Sequence, residues 1–311
     1  MFDLALLLVG LILVALFAKL TLDNAIVIAH HFNIPDFYMG ALVLAIGSDL
    51  PELVVTLNAA IRNLGSLDTS GLIIGNAIGS CFGQIGLSLG VAGCFGYLTI
   101  ARKYMLRHGQ VLLGSLVVLF LAGIDGAITR IEGGALTIFY VLYVLSLIDG
   151  ASQQETKHHP SYKPLRTWSF MLVGMAGVVF AAELIVRGAV GSADAWGVSQ
   201  SFIAIAIMGV GTSIPELSIA IAALAKARGG MSVGNIIGSN ILDTLLPVGL
   251  AGLIAPMVFE SGLLWFDLPA LFALSALVFF FFMRKRGLQR REAVTLVTLY
   301  AAYIIAKLAS A

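Results

Sequence analysis

Charge is what this 311-residue chain has least of. Only 11% of its residues are Asp, Glu, Lys or Arg, where soluble domains carry about 25%. No polar stretch is long enough to form a soluble domain, 59% of residues are hydrophobic, and mean hydropathy is +0.99. A soluble enzyme or binding module is thereby excluded, and the chain reads as a polytopic integral membrane protein. Neither sign of charge is in excess: the net charge of +1 leaves no basis for a nucleic-acid or acidic partner. Cysteine is almost absent. Cys81 and Cys94 fall on one hydrophobic helix, about 20 Å apart at about 1.5 Å rise per residue, too far for a disulfide, and both read as small buried residues. The pairs His30-His31 and His158-His159 lie at span edges or in a loop, with no acid cluster beside them, so soft metals lack a ligand set. The N-terminus lacks a basic leader region, and no clear cleavage site follows Asp3–Leu20. That segment therefore reads as the first membrane helix rather than a removed signal.

What is there is a series of long apolar runs. Breaks at polar or Pro/Gly-containing stretches divide the chain into ten expected spans, at 3–31, 36–61, 70–97, 109–128, 134–150, 166–193, 200–226, 231–257, 263–283 and 292–309. Each is long enough to cross about 30 Å of hydrocarbon. With the N-terminus outside, the inner loops hold Arg102, Lys103, Arg107, Lys157, Lys163, Arg166, Lys226, Arg228, Arg284, Lys285, Arg286, Arg290 and Arg291. The outer segments hold only Arg62, Arg130 and Lys307, so the bias is 13 to 3. Both termini are therefore expected outside, in a multi-pass protein of the cell membrane. Trp168, Trp196 and Trp265 fall at span ends, as interfacial anchors should.

The two halves repeat. Gly47-Ser48-Asp49-Leu50-Pro51-Glu52-Leu53 aligns with Gly211-Thr212-Ser213-Ile214-Pro215-Glu216-Leu217 at an offset of 164. Gly75-Asn76-Ala77-Ile78-Gly79-Ser80 aligns with Gly234-Asn235-Ile236-Ile237-Gly238-Ser239 at an offset of 159. The expected organisation is a first repeat over 1–150 (motif region 45–93), a short cytoplasmic linker over 151–165, and a second repeat over 166–311 (motif region 209–252). Five spans per half is an odd number, so the repeats have opposite orientation. Inverted repeats with a site at mid-membrane are a transporter architecture.

The repeated motifs place acids in hydrocarbon, where each costs about 2.5–3.5 kcal/mol on insertion scales. Ser48 and Glu52 are four residues apart, as are Thr212 and Glu216, Ser80 and Gln84, and Ser239 and Asp243. Each pair therefore shares a helix face. Asp49, three residues before Glu52, can face the same seam. Pro51 and Pro215 each lack an N–H and clash with the carbonyl four residues back, which frees the carbonyls of Gly47 and Gly211. Irregular backbone at membrane depth is tolerated where it lines a cavity or is satisfied by protein. Hydroxyls, carboxylates and freed carbonyls together form the all-oxygen environment that Na⁺ and Ca²⁺ prefer. A structural salt bridge is the competing reading, but basic residues within the spans are few. Lys19 is one, and Arg187 already has Glu183 one helical turn back. Gly75, Gly79, Gly234 and Gly238 read as close helix contacts that bring the Ser80 and Ser239 helices to the site. Asp125, Asp149, Asp194 and Asp267 lie at span ends and are expected to be solvated.

On these residues the chain resembles the calcium/cation antiporter superfamily, and within it the sodium/calcium exchanger family. The resemblance runs over nearly the whole chain. The pattern GTS-x-PEL is met fully at 211–217 and as GSDLPEL at 47–53, and GN-x-x-GSN-x-x-D is met fully at 234–243 and partly at 75–84. It implies an all-α fold of ten transmembrane helices in two inverted five-helix repeats. It also implies exchange of Ca²⁺ for Na⁺ by alternating access, with helices one and six sliding across the other eight. No enzyme activity and no cofactor are implied. The implied ion ligands are Glu52, Glu216, Asp243, Ser48, Thr212, Ser213, Ser80 and Ser239, with the carbonyls of Ala45 and Gly209. Asp49 and Gln84 stand at ligand positions but depart from the pattern, and Cys81 replaces an Asn. Ca²⁺/H⁺ or K⁺-dependent exchange is therefore the alternative. An intramembrane protease using Asp49 and Asp125 has no supporting signature, and a channel fits two broken repeats poorly. The short central linker carries no regulatory domain, and the protein is expected to function as a monomer in the bilayer.

Overall fold

The computed structural model describes residues 2–64, 69–152, 162–195, 213–285 and 287–310. Helices dominate because a chain in hydrocarbon must satisfy its backbone polar groups within each segment. Helix α1 (Phe2–His31) is followed by a composite span: α2 (Asp36–Tyr38), a π-helical stretch at Met39–Leu44, α3 (Ala45–Ser48) and α4 (Leu50–Asn63). The next span is α5 (Ser70–Phe82), a π-helical stretch at Gly83–Ser88, and α6 (Leu89–Phe95). Then come β1 (Leu98–Thr99), α7 (Arg102–Ala122), β2 (Ala127–Ile128) and α8 (Arg130–Ser152). The second half holds α9 (Pro164–Ala195), α10 (Ile214–Ala225), α11 (Gly229–Ile254), β3 (Met257–Val258), a π-helical stretch at Leu263–Asp267, α12 (Leu268–Lys285), β4 (Gly287–Leu288) and α13 (Arg290–Ser310). Among the described residues, six helical segments are long and apolar enough to cross a membrane, and Asp36–Ser48 and Ile214–Ala225 are shorter apolar helices.

Most expected spans fall on these helices, but the fourth is displaced. Its helix begins at Arg102 rather than residue 109 and ends at Ala122 rather than 128. Arg102, Lys103 and Arg107 read as a loop by charge, yet Arg and Lys are good helix formers whose apolar stems lie along a helix end. Arg107 uses this position to donate to the Ser146 carbonyl of α8 at 3.4 Å. Residues 200–212 of the seventh expected span, with Trp196 and His158-His159, lie outside the described residues. Trp168 and Trp265 are both exposed at helix beginnings. His31 stacks on Tyr162 with ring centroids 3.8 Å apart.

The expectation of solvated span-end acids holds for Asp125 and Asp149, which are exposed, but fails for Asp267. That carboxylate is fully buried, accepting from Lys307 Nζ at 2.6 Å and from Tyr303 Oη at 2.8 Å. Lys307, counted by sequence as an outer residue, reaches it from near the end of α13. The side chain of Asp194 lies outside the described residues.

Four two-residue strands were not anticipated, and their pairing carries the repeat symmetry. Strand β1 pairs antiparallel with β4 (Leu98 with Leu288, Thr99 with Gly287). Strand β2 pairs antiparallel with β3 (Ile128 with Met257, Ala127 with Val258). Shifting β1 by 159 residues gives β3, and shifting β2 by 160 gives β4. The two pairings therefore map onto each other residue for residue, and each joins one repeat to the other.

The buried apolar residues form two clusters. The larger runs through α2, α4 to α8 and α10 to α13. The smaller lies where α1 and α9 pack along each other and against the rest. It contains four methionines, Met39, Met171, Met175 and Met231, the most adaptable of apolar side chains. Gly174 and Gly177 bring α9 close to α1: an added Cβ would lie 2.5 Å from Thr21 Oγ1 or 2.3 Å from the Phe17 ring. Nearby, α2 and the following π-helical stretch lie directly against the α11 backbone. A Cβ at Gly234 would meet the Phe37 carbonyl at 2.3 Å, and one at Gly238 the Ala41 carbonyl at 2.6 Å. This is the close-packing role expected of Gly234 and Gly238, whereas a Cβ at Gly75 or Gly79 would meet nothing within 4 Å, so the expectation fails for the first repeat.

Candidate cation-binding site

The site is built on two matching helix breaks. Asp49 leaves the helix at φ −86°, ψ 4°, and Ser213, its equivalent in the second repeat, does so at φ −89°, ψ 0°. These angles lie in the bridge region between helix and extended backbone. New helices start at the next residue. The Leu53 N–H donates to Asp49 O at 3.1 Å and the Leu217 N–H to Ser213 O at 3.0 Å. Pro51 and Pro215 thus occupy the second position of α4 and α10, where a missing N–H costs nothing. Glu52 and Glu216 fall in the first turn of each helix. There the helix dipole favours a negative charge that hydrocarbon would otherwise penalise.

Asp49, Glu52, Glu216 and Asp243 are all buried and lie within electrostatic reach of one another. The Glu216 carboxylate stands beside Asp49 and the Ser48 hydroxyl, and neither closes on it as a well-formed hydrogen bond. Both oxygens of Asp49, Glu52 and Glu216, and Oδ1 of Asp243, are buried without a hydrogen-bond partner, as is the Ser239 hydroxyl. No salt bridge reaches these acids among the described residues: Lys19 is exposed, and Arg187 pairs with Glu183 at 2.6 Å near the protein surface. A buried, unpaired polar group costs roughly 1–3 kcal/mol, and a charged one more. Seven carboxylate oxygens without a hydrogen-bond partner are thus concentrated at one place, a set that can only accept when ionised.

The remaining expected ligands separate into distinct roles. Ser48 is buried and its hydroxyl donates to Ala45 O at 3.2 Å. That carbonyl also accepts the Asp49 N–H at 3.0 Å, so both of its lone pairs are engaged, whereas the Ser48 oxygen, having given its hydrogen to Ala45, keeps its own lone pairs. The Ser213 hydroxyl donates to Ser80 O at 3.5 Å, and the Ser88 hydroxyl to Ser213 O at 3.2 Å. These contacts dock the second helix break on the third span. Thr212 and Gly209 lie outside the described residues.

Gln84 is not placed as a free ligand. Its Nε2 donates to Asp243 Oδ2 at 2.8 Å, and its Oε1 accepts from Asn240 Nδ2 at 2.8 Å. Both ends of the amide are engaged, because a carboxylate can only accept and so draws the NH₂ to itself. Gln84 therefore orients Asp243. Asn240 and Thr244 complete this network, with the Thr244 hydroxyl donating to Asn240 O at 2.6 Å. Cys81 packs against the same two residues, its sulfur 3.6 Å from each. Asn240, readable as the Asn of the GSN motif, and Thr244, one turn beyond it, were not among the expected site residues. Among the described residues, no three of His, Cys, Asp and Glu close into a metal cage. An ion here would be held by carboxylates together with hydroxyls and carbonyls.

Comparison with known proteins identifies the family. The family described as "Sodium/calcium exchanger protein" matches residues 2–148 and 166–309. An uncharacterized membrane protein of Methanocaldococcus jannaschii is 32% identical over 88% of this chain and 87% of its own length. Sodium/calcium exchanger MaX1 of Methanosarcina acetivorans is 26% identical over 96% of each chain. The solved structure of the sodium-calcium exchanger NCX_Mj, soaked with Na⁺ and Ca²⁺, superposes with a TM-score of 0.85 at 30% identity over 98% of both chains. The chain is a multi-pass membrane protein of the sodium/calcium exchanger family, a cation antiporter of the calcium/cation antiporter superfamily.

Proposed function

We propose that this protein exchanges Ca²⁺ for Na⁺ across the cell membrane by alternating access, as a monomer with both termini outside. The observation that carries the reading is the group of four buried carboxylates, Asp49, Glu52, Glu216 and Asp243, with unpaired oxygens and no basic partner. Glu52 and Glu216, one from each repeat, hold the ions between them. Asp243, Asp49, the hydroxyls of Ser48, Thr212, Ser213, Ser80 and Ser239, and the carbonyls of Ala45 and Gly209 complete the shell, while Gln84 positions Asp243. Hard cations that accept six to eight oxygens at adaptable geometry fit such a set. The family membership and the ions named for NCX_Mj and MaX1 support the choice of ions. The separate apolar cluster around α1 and α9 supports their sliding as a pair.

Asp49 supports a second reading. The second repeat has a serine at this position, and an additional carboxylate offers a place for H⁺ or K⁺ in the exchange cycle. One experiment separates the two. Proteoliposomes loaded with Na⁺ are diluted into ⁴⁵Ca²⁺, with Na⁺, K⁺ and pH gradients varied independently. Uptake that follows the Na⁺ gradient alone supports Ca²⁺/Na⁺ exchange. Uptake indifferent to Na⁺ but driven by a pH or K⁺ gradient replaces it with the second reading.

A further inference from the structure

Helix α11 carries buried polar groups that the site does not use. Ser232 and Asn235 are fully buried, and neither the Ser232 hydroxyl nor either polar atom of the Asn235 amide has a hydrogen-bond partner. They lie one and two turns below Ser239 and Asp243, toward the end of the molecule that bears Lys226 and Arg228. The helix runs from Gly229 to Ile254 with no break between residues 229 and 243. The spacing 232, 235, 239, 243 therefore aligns all four side chains along one face. Each ends in an unpaired oxygen, and Asn235 has an unpaired nitrogen as well. Dry protein gives such a row no favourable interaction, whereas water or a partly hydrated ion would satisfy it.

Met39, Leu44, Ile219, Ala223 and Met231 pack at this end as part of the cluster that includes α1 and α9. The turn between α10 and α11 is also tied to α1 and α2, with Lys226 paired to Asp23, Arg228 in contact with His30, and Arg228 Nη1 3.1 Å from Asp36 Oδ1. The repeat equivalent of Asn235 is Asn76, which is partly exposed. The two repeats thus present the same amide in different environments.

We propose that Ser232 and Asn235 line the ion path between the site and the Lys226/Arg228 face of the membrane, closed in this conformation and wetted in the alternate one. The proposal rests on the alternating-access reading above. In the path, Asn235 replaces water ligands as an ion leaves Ser239 and Asp243, and Ser232 takes it one turn further. Displacement of the α1–α9 pair opens the methionine-lined cluster and exposes the row.

Two measurements test this. In a Cys81→Ser/Cys94→Ser background, Ser232→Cys and Asn235→Cys are each treated with a membrane-impermeant methanethiosulfonate from either side of sealed vesicles. Both should react from the Lys226/Arg228 face at least tenfold faster than from the other face. They should also react at least tenfold faster than Ile237→Cys on the opposite side of α11. If a transporting protein carries either cysteine and it is as inert as Ile237→Cys, the proposal is overturned. Separately, Asn235→Leu should slow ⁴⁵Ca²⁺ flux at least tenfold while equilibrium Ca²⁺ binding in detergent stays within twofold. Loss of binding together with flux would make Asn235 a ligand of the central site and overturn its role in the path. If the unmodified protein binds no Ca²⁺, the choice of ion fails while the labelling result still decides whether the path exists.

Discussion

Gln84 and Asp243 are equivalents in the two repeats, 159 residues apart, and they hydrogen-bond to each other at 2.8 Å. Cys81 and Asn240 are equivalents at the same offset and are also in contact. The pseudo-twofold axis therefore passes between these residues. An amide at Gln84 gives the Asp243 carboxylate a donor that a second ionised acid could not supply.

Gln84→Leu should leave Asp243 Oδ2 without its donor, while Asn240 Nδ2 keeps its bond to Ile236 O at 2.9 Å. Losing a hydrogen bond to a buried charge costs about 1.5–3 kcal/mol, so Ca²⁺ affinity should fall roughly tenfold or more as the Asp243 carboxylate loses its orientation. Calorimetric titration of the purified protein measures this.

Glu52→Gln and Glu216→Gln should each abolish Ca²⁺ flux. Each should also raise the melting temperature of ion-free protein, because one of four mutually repelling buried acids is removed. The increase in melting temperature that Ca²⁺ gives the unmodified protein should vanish, since ligand stabilisation scales with the affinity for the folded state. Thermal scans with and without Ca²⁺ check both.

Asp49→Ser should fold normally, because Ser213 already adopts the same backbone angles at the equivalent break. It should weaken Ca²⁺ binding and change which monovalent gradient drives uptake. Unchanged affinity and ion selectivity would remove Asp49 from the site.

Gly47→Ala should slow transport without abolishing it. An added Cβ would lie 1.3 Å from the Met175 Cε of α9, so the flexible end of Met175 must move aside next to Ser48, a proposed ligand. Met175→Ala should restore part of the flux in the double variant, and the coupling of the two changes can be read from a double-mutant cycle.

Asp267→Leu should destabilise the protein by about 3 kcal/mol, because it removes the buried carboxylate on which Lys307 and Tyr303 both converge. Adding Lys307→Met should recover most of this loss, which denaturation of the single and double variants would show.

How much of this was legible in sequence depended on the length scale of each interaction. The helices, the repeat offsets and the acids at both breaks follow from local patterns of apolar residues and proline, and the structure places helices and breaks there. Gln84 could be placed at the site by its spacing from Ser80. Its role as the clamp on Asp243 could not, because the contact spans 159 residues and depends on how the repeats cross. Asp267 was misjudged for the same reason: its partners Lys307 and Tyr303 come from another helix. The start of α7 was misplaced because charge marks where a chain meets the interface, while helical hydrogen bonding can continue past it.

The crossed strands have a consequence for how such a chain is assembled. With β1 held by β4 and β2 by β3, neither half closes its own loose ends, and each finishes the other. A half-length polypeptide would have to find an antiparallel twin to make the same seam. The strand pairs form an internal clasp between the halves, so severing the chain between them should yield two fragments that are stable only together.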